Sequence, residues 1–275
     1  LPDVIVYCEA LTTHAAGRRL THVRVMSPFV LRSFDPPIDV LDGQVLRTVS
    51  RVGKRLVLGF DEGLRLVVHL MIAGRLRWRL PGQKLGMGPR LVLAALEFEH
   101  GTLYFTEAGS TKRASMHLVR GDEAVQAMDR GGIEPLSATS DAYADALRRE
   151  NHTLKRSLTD PRLFSGIGNA YSDEILHAAR LSPMKLSQSL TDAQVVALRD
   201  ATQRTLTAWT ARLRAETAGG FPEKVTAFHD EMAVHGRFGK PCPICGAPVQ
   251  RIVYAENECN YCAVCQTEGR LLADR

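Results

Sequence analysis

Four cysteines near the end of the chain have the spacing of a metal site. Cys242 and Cys245 are separated by two residues, and Cys262 and Cys265 repeat that spacing after a further sixteen residues. Two such pairs fit one tetrahedral zinc ion with a short hairpin between them. Four thiolates fill the coordination sphere of the ion, so no position is left for a substrate water. The pattern therefore predicts one structural zinc ion per chain, although Cys259 and Cys262 form another pair of the same spacing.

Basic residues concentrate in residues 18–90. This segment holds fourteen Lys or Arg and five Asp or Glu, whereas the whole chain carries a net charge of +5. Clustered positive charge is typical of proteins that bind polyanions, and together with a zinc site it favours nucleic acid over a membrane or an acidic protein. Lys54 lies in this segment beside a predicted strand, where its ammonium can meet a phosphate or a sugar.

A second candidate phosphate site is the turn Gly166-Ile167-Gly168-Asn169 ahead of a predicted helix. Glycines let a backbone approach its ligand closely, and the amides at a helix N-terminus bind phosphate oxygens. Asn169 can add a side-chain donor. The pattern alone is equally typical of an ordinary helix–turn–helix corner.

These residues must be positioned by strands in the first half of the chain and helices in the second. Residues 4–16 predict a short helix that ends at Gly17. From residue 18 to about 120, β-branched residues often alternate with polar ones, which predicts an antiparallel sandwich or barrel of six to eight strands. One hairpin is expected to turn at His100-Gly101.

Residues 130–145 are rich in Gly, Pro, Ser and Ala and suit a linker. Asp160-Pro161 predicts a helix start, and the apolar spacing in residues 191–213 predicts a long helix. The expected fold class is α+β and multidomain. Its parts are an N-terminal β-sandwich with a leading helix (1–130), a helical DNA-binding domain (131–232) and a C-terminal four-cysteine zinc finger (233–275).

The composition also bears on location. Cysteines held mostly in CxxC pairs indicate a reducing compartment, and the sequence shows neither an apolar run of membrane-spanning length nor a signal-peptide layout. We therefore expect a soluble protein without membrane association, cytoplasmic and nucleoid-associated if bacterial, or otherwise intracellular.

Several segments resemble the formamidopyrimidine-DNA glycosylase and endonuclease VIII family. Residues 160–174 are similar to its helix–two-turn–helix signature, and residues 234–237 with 262–266 are similar to its zinc finger. The opening residues 1–4, Leu-Pro-Asp-Val, resemble its Leu-Pro-Glu-Val. The likeness spans nearly the whole chain, and in the finger it favours Cys262 with Cys265 as the second cysteine pair.

The resemblance implies a bifunctional DNA glycosylase and abasic-site lyase of base excision repair. In the family, the secondary amine of an N-terminal proline attacks C1′ of the damaged nucleotide to form a Schiff base, and the next glutamate transfers protons. This Pro-Glu pair is expected ahead of Leu1, outside the printed sequence. Asp3 then stands where the family has a further acid, and Lys54 stands at its β-hairpin lysine. Using Pro2-Asp3 as the catalytic pair would require removal of Leu1 and a shift in register.

The resemblance also implies the DNA-binding residues, which are Lys54, Met71, Ile72, Lys112, Arg113, Gly168, Asn169, Tyr171 and Asn257. Ile72 aligns with the methionine that the family inserts into the gap left by a flipped nucleotide, and Met71 is adjacent. The loop 106–114 contains no Phe, so Lys112 or Arg113 is expected to do the stacking. Asn257 replaces a phosphate-gripping arginine, and the glutamates on both sides of it make an acidic hairpin tip.

The expected partner is duplex DNA with a damaged base or an abasic site, bound by a monomer. The alternative is a non-catalytic protein that binds damaged or branched DNA on the same fold. The Asn257 substitution and the altered loop favour this alternative to some extent.

Overall fold

A computed structural model describes residues 1–109, 111–223, 225, 229–254 and 257–272. Its contacts separate into two compact units. The first, called the sandwich unit, comprises Pro2–Asp129 and Arg212–Val225, and the second, called the helical–finger unit, comprises Leu1, Arg130–Ala211 and Thr226–Arg275. None of the helices in the described ranges combines the length and the apolar composition that a membrane crossing requires. The three-domain boundaries at 130 and 232 stay predictions.

The sandwich unit opens with helix α1 (Pro2–Ala15) and continues into eight strands. These are β1 (Leu20–Val25), β2 (Leu46–Val52), β3 (Arg55–Phe60), β4 (Leu64–His69), β5 (Gly74–Arg79), β6 (Val92–Phe98), β7 (Gly101–Glu107) and β8 (Ser115–Arg120). They form two antiparallel four-stranded sheets with the orders β1-β6-β7-β5 and β2-β3-β4-β8. The predicted fold class, with a leading helix and up to eight strands, is confirmed.

One apolar core joins α1 to both sheets. Alternate residues of β3 and β4, such as Leu56, Leu58 and Leu66, are buried in it, because successive side chains of a strand point to opposite faces. Tyr7 of α1 is also fully buried in this core, and its hydroxyl accepts a hydrogen bond of 3.2 Å from the amide of Leu76. The helix is thereby fixed against β5.

The predicted turn at His100-Gly101 is wrong by one residue. Phe98 pairs with Gly101, so the turn residues are Glu99 and His100, and Gly101 is the first residue of β7. A Cβ at Gly101 would lie 2.6 Å from the Trp78 ring, so this glycine is required by close packing against β5 rather than by turn geometry.

Residues 212–225, which include the end of the long helix, pack in the sandwich unit. Arg214 forms an ion pair with Glu9 of α1 at 2.6 Å, and Glu223 bridges Arg77 and Arg79 of β5 at 2.9 and 2.5 Å. Acidic and basic partners far apart in sequence therefore tie residues 212–225 to α1 and β5. A short helix α2 (Asp122–Gln126), which no sequence signal predicted, completes the unit.

The helical–finger unit contains helices α3 (Ser140–Arg148), α4 (Leu154–Thr159), α5 (Asn169–Ala178) and α6 (Asp192–Thr217). Its finger consists of the hairpin β9 (Val249–Tyr254) and β10 (Asn257–Cys262), followed by α7 (Ala263–Thr267). The long helix α6 confirms the prediction over residues 191–213.

Two local predictions in this unit are wrong. Asp160 ends α4 instead of starting a helix, because its carboxylate accepts from the Arg162 amide at 2.8 Å and pairs with the Arg162 guanidinium. Residues 130–145 are not a free linker. Ile133 exchanges backbone hydrogen bonds with the 163–165 segment, and α3 begins at Ser140 with Thr139 as its cap.

Candidate functional site

Lys54 occupies a two-residue hairpin turn between β2 and β3. Gly53 takes a positive φ of 59° there, which a residue with a side chain rarely adopts, and the Lys54 side chain is exposed. Desolvation by the surrounding protein and the neighbouring Arg55 guanidinium lower the pKa of the Lys54 ammonium.

A row of basic side chains extends from Lys54 across the β3-β4-β8 sheet. Arg55 pairs with His69 in the strand register, and His117 of β8 lies two residues beyond Ser115, which is the partner of His69. Arg32 is held beside β8 because its amide donates to the Met116 carbonyl. We call Arg32, Lys54, Arg55, His69 and His117 the basic strip. Sequence reasoning selected only Lys54, although the alternation of basic and apolar residues in these strands was a usable signal.

The histidines of the strip are held neutral at ordinary pH. Burial, followed by the charges of Arg55 and Lys54, lowers the pKa of His69 to about 4. Burial and the guanidinium groups of Arg55 and Arg32 also lower the pKa of His117. Such mutual repulsion among cations is relieved when an anion binds, so the strip is electrostatically suited to phosphate.

Met71 and Ile72 form an apolar turn between β4 and β5. Their side chains are 43% and 77% exposed, so neither is a buried strand residue. The Arg75 guanidinium donates to the Ile72 carbonyl at 2.9 Å, which braces the turn. Gly74 is required here because a Cβ would lie 2.3 Å from the Leu70 carbonyl oxygen.

The loop after β7 is closed by a buried carboxylate. Glu107 is 1% exposed, and its oxygens accept hydrogen bonds from the amides of Arg113 and Ala114 at 3.1 and 3.3 Å. The Lys112 ammonium bonds back to the Glu107 carbonyl, whereas the Arg113 side chain is exposed. Ser110, in the middle of this loop, lies outside the described residues.

The apolar turn and this loop line one open pocket of about 180 Å³. Its walls include Ile72, Ala73, Glu107, Gly109, Thr111 and Arg113. The structure therefore brings together two predicted DNA-binding residues, Ile72 and Arg113, which are 41 positions apart in the sequence.

Asp3 lies in the first turn of α1 beside Tyr7. Its Oδ1 atom is buried and has no hydrogen-bond partner among the described residues. Burial of Tyr7 raises the pKa of that phenol, and the Asp3 carboxylate adds to the effect. Asp3 thus offers an unused acceptor at the N-terminal end of the unit.

The N-terminus of α5 presents the predicted phosphate turn. Gly166 has a φ of +82°, and the cap residue Gly168 has no side chain to occupy the first-turn amides. The Asn169 side-chain amide donates to the Glu258 carbonyl of β10 at 2.9 Å, so one of its two N–H groups is already engaged with the finger. Tyr171 is buried, with its ring 6.1 Å from Trp209, and its DNA contact stays a prediction.

Behind this turn, a buried polar cluster joins α4, α5 and the finger. Asp173 is fully buried and accepts from Lys155 Nζ at 2.5 Å, His235 Nδ1 at 2.8 Å and the Asn260 amide at 3.1 Å. Glu174 accepts from three consecutive amides of residues 233–235. We call Lys155, Asp173 and His235 the buried triad. Nothing in the spacing of these residues identified them in the sequence.

The four predicted metal ligands converge. The sulfur atoms of Cys242, Cys245, Cys262 and Cys265 all lie within 4.8 Å of one another. Sγ–Sγ distances are 3.9 Å for Cys242–Cys265 and 3.4 Å for Cys245–Cys262. A tetrahedron with Zn–S bonds of 2.3 Å has edges of about 3.8 Å. The cluster can hold a metal ion, and Cys259 is buried elsewhere in the hairpin.

The acidic hairpin tip is only partly described. Asn257 pairs with Tyr254 at the start of β10, but its side chain and all of Glu256 lie outside the described residues. Glu258 is not an isolated charge, because it accepts from the Asn260 side chain at 3.0 Å and lies 3.6 Å from Arg251. The expected repulsion of DNA by Glu258 is therefore weakened.

Comparison with known proteins places this site in a family. The formamidopyrimidine-DNA glycosylase N-terminal domain matches residues 1–115, and the formamidopyrimidine-DNA glycosylase H2TH domain, the helix–two-turn–helix part, matches residues 132–216. The formamidopyrimidine-DNA glycosylase of Thermus thermophilus is 33% identical over 98% of both chains. That of Desulforamulus reducens is 30% identical over 97% of this chain and 98% of its own.

A solved structure agrees with the fold. Lactococcus lactis Fpg in complex with DNA containing an abasic site superposes with a TM-score of 0.85 at 23% identity, over 97% of this chain and 99% of that one. This superposition shows a shared fold, and the two domain matches together with the relatives at 33% and 30% identity show the family. The chain belongs to the formamidopyrimidine-DNA glycosylase family.

Proposed function

We infer that the protein is a DNA glycosylase and abasic-site lyase of base excision repair. The observation that carries this inference is the relationship over nearly the whole chain to formamidopyrimidine-DNA glycosylases. The named relatives favour ring-opened purines of the formamidopyrimidine class as substrates. These comparisons give no support to the non-catalytic alternative. A repair enzyme acts where the chromosome lies, so we propose an intracellular, DNA-associated monomer.

DNA binding is proposed to rest on phosphate contacts in each unit. The basic strip supplies Lys54 and the neighbouring guanidinium and imidazole groups, and the start of α5 supplies Gly168 and Asn169. Phosphate contacts position a protein on DNA without reading its sequence, and they release counterions, so affinity should fall steeply with salt. A flat dependence of affinity on salt would argue against this interface.

The apolar turn and Arg113 are proposed to support base flipping. An enzyme that works on a base must extrude it from the duplex, and apolar wedges commonly enter the base stack. Ile72 is the more exposed of the two wedge candidates, and Arg113 shares its pocket. Lys112 is less suited to stacking, because its ammonium bonds to the Glu107 carbonyl.

The proposed chemistry is an amine attack on C1′ of the damaged nucleotide. The bond from C1′ to the base breaks, and the base leaves with the bonding electrons and takes up a proton. The C1′–O4′ bond of the sugar ring then breaks, O4′ takes up the proton that the amine loses, and the nitrogen lone pair completes the C=N bond of a Schiff base. Loss of a C2′ proton then expels the 3′ phosphate, and water hydrolyses the Schiff base. By resemblance, the amine belongs to a proline of a Pro-Glu pair ahead of Leu1, and an α-amino group titrates near pH 7.7–8.

Asp3 and Lys54 are proposed to assist this chemistry. The buried Oδ1 of Asp3, which has no hydrogen-bond partner within the described ranges, offers an acceptor for an amine or a sugar hydroxyl. Lys54 is proposed to hold the phosphate beside the lesion, and its lowered pKa makes it the second candidate for the nucleophile.

The four-cysteine cluster is proposed to hold one structural zinc ion. The sulfur separations are close to those of a tetrahedral site, and a bound ion would supply folding free energy to the finger. Cys242→Ser and Cys265→Ser should each release the metal, whereas Cys259→Ser should retain it. Equal zinc content in all three variants would refute the assignment.

An excision assay tests the proposed activity. Protein carrying Pro-Glu ahead of Leu1 should release the base and cleave the strand of a duplex that contains one formamidopyrimidine, and leave an undamaged duplex intact. Lys54→Met should reduce excision strongly, whereas Lys84→Met, which removes an exposed lysine from the same unit, should not. Equal activity of the two variants would show that Lys54 has no role in excision. Absence of excision on every lesion would contradict the enzyme assignment.

A further inference from the structure

The last turn of α5 places a histidine against one of the metal-binding sulfurs. His177 is 2% exposed, and its Nε2 atom lies 3.2 Å from Sγ of Cys242. The proposed phosphate turn uses only the opposite end of this helix. His177 therefore has no part in the DNA contacts proposed above.

The direction of this hydrogen bond follows from the chemistry of the sulfur. A metal-bound cysteine is a thiolate, which can accept a hydrogen bond but has no proton to donate. Nε2 of His177 must then carry the proton, which fixes the tautomer of the imidazole. A hydrogen bond to an anionic acceptor is shorter and roughly twice as strong as a neutral one.

Two other sulfurs of the cluster accept hydrogen bonds from backbone amides of the finger itself. The amide of Ala247 donates to Cys245, and the amide of Cys265 donates to Cys262. The donor to Cys242 is different in kind, because it is a side chain 65 positions earlier in the chain. The helical part of the unit thus supplies one of the hydrogen bonds to the cluster.

Further contacts hold the segment that carries His177 against the finger. The Gln266 side chain accepts from the Cys262 amide at 2.8 Å and donates to the Leu181 carbonyl at 2.9 Å, just beyond α5. Four positions before His177, Asp173 is bonded to His235 and Asn260 of the finger. Since both ends of this stretch are fastened to the finger, the backbone that carries His177 cannot move away from Cys242 without breaking several buried hydrogen bonds.

We propose that His177 is a positioning residue of the metal centre, which donates from Nε2 to the Cys242 thiolate and slows release of the ion. This inference rests on the proposed zinc site. Partners that orient metal ligands typically contribute a factor of roughly 10 to 100 in metal affinity. Because α5 carries both His177 and the phosphate turn, the metal also stabilises the helix that presents Asn169.

Zinc release to a colorimetric chelator, followed in the full chain, tests this role. His177→Phe keeps a ring but removes the donor, and it should release zinc roughly 10- to 100-fold faster than the wild type. His177→Gln keeps an N–H at a similar reach and should stay much closer to the wild type. Ile175→Val, a small packing change in the same buried helix, is the matched control and should leave the rate unchanged.

The outcomes separate this inference from the zinc proposal. A wild-type chain that purifies without zinc from zinc-supplied cells would refute the metal assignment itself. A zinc-loaded wild type whose His177→Phe variant releases the ion no faster than Ile175→Val would refute only the role of His177. Should the Phe variant fail to fold, His177→Asn, whose amide is too short to reach Cys242, replaces it. Equal release from the Asn and Gln variants would then overturn the proposal.

Discussion

Lys155→Met should destabilise the helical–finger unit by about 3–5 kcal/mol, the usual cost of removing one partner of a buried ion pair. The Lys155 side chain is 5% exposed and that of Asp173 is fully buried, with Nζ and Oδ1 2.5 Å apart. The substitution leaves a buried carboxylate whose remaining donors are His235, the Asn260 amide and the Cys259 thiol. The lost ammonium also bonds the Asn169 carbonyl and the Ser172 hydroxyl, both at 2.8 Å.

The two tryptophans of the chain allow this unit to be followed separately. Trp209 lies in the helical–finger unit and Trp78 in the sandwich unit, so a Trp78→Phe background leaves Trp209 as the fluorescent reporter. Urea unfolding of zinc-loaded protein then gives the free energy of unfolding of this unit. With a slope of about 2 kcal/mol per M urea, the Lys155→Met midpoint should fall by roughly 2 M.

Two further variants make this prediction specific. Lys185→Met removes a partly buried lysine that bonds only a neutral partner, Gln194 at 3.0 Å, and should change stability by about 0.5 kcal/mol or less. Combining Lys155→Met with Asp173→Asn also removes the negative charge of the buried carboxylate, and it should recover part of the lost free energy of unfolding. If Lys155→Met shifts the midpoint no more than Lys185→Met does, the buried triad does not stabilise the unit as argued.

Three other predictions concern DNA. Arg113→Ala should weaken binding to an abasic duplex, measured by fluorescence anisotropy, by roughly 1–3 kcal/mol, and Lys112→Ala should have a smaller effect; the reverse order would assign the stacking role to Lys112. Bound phosphate should raise the low pKa of His69, so DNA binding should take up a proton and the affinity should increase as the pH falls from 6.5 towards 4. His69→Gln should flatten this dependence of affinity on pH, and an unchanged dependence would exclude His69 as its source. Asn257→Arg should tighten duplex binding by roughly 1 kcal/mol, whereas a large loss on Asn257→Ala would reveal a specific contact.

Much of the fold could be predicted from the sequence because its signals are local. Apolar, β-branched residues that often alternate with polar ones identified β3 and β4, although both faces of these strands hold buried residues. Apolar spacing over residues 191–213 identified α6. The spacing of the four cysteines similarly predicted a convergence that the structure shows. In each case, the residues that produce the pattern are also those that make the contacts.

The errors arose where distant parts of the chain decide the local structure. Gly101 looked like a turn residue, but the Trp78 ring of another strand is what requires it. The error at Asp160 is local instead, because its carboxylate binds Arg162, two residues further on, after the helix has ended.

Functional groups that depend on tertiary proximity were also missed. The buried triad draws Lys155, Asp173 and His235 from three separate elements, and no spacing in the sequence reports that combination. His69 and His117 become neighbours only through the pairing of β4 with β8.

The most direct test of the glycosylase and lyase assignment is borohydride trapping. Protein with Pro-Glu ahead of Leu1 should form a covalent, borohydride-reduced complex with a duplex that contains an abasic site or a formamidopyrimidine, since reduction fixes the Schiff base. The chain that begins at Leu1 should bind the same duplex without being trapped. A trapped complex with the latter would make another amine the nucleophile, with Lys54 as the first candidate. Tight binding by both proteins without any trapped complex would contradict the enzyme assignment and favour a damage-binding protein.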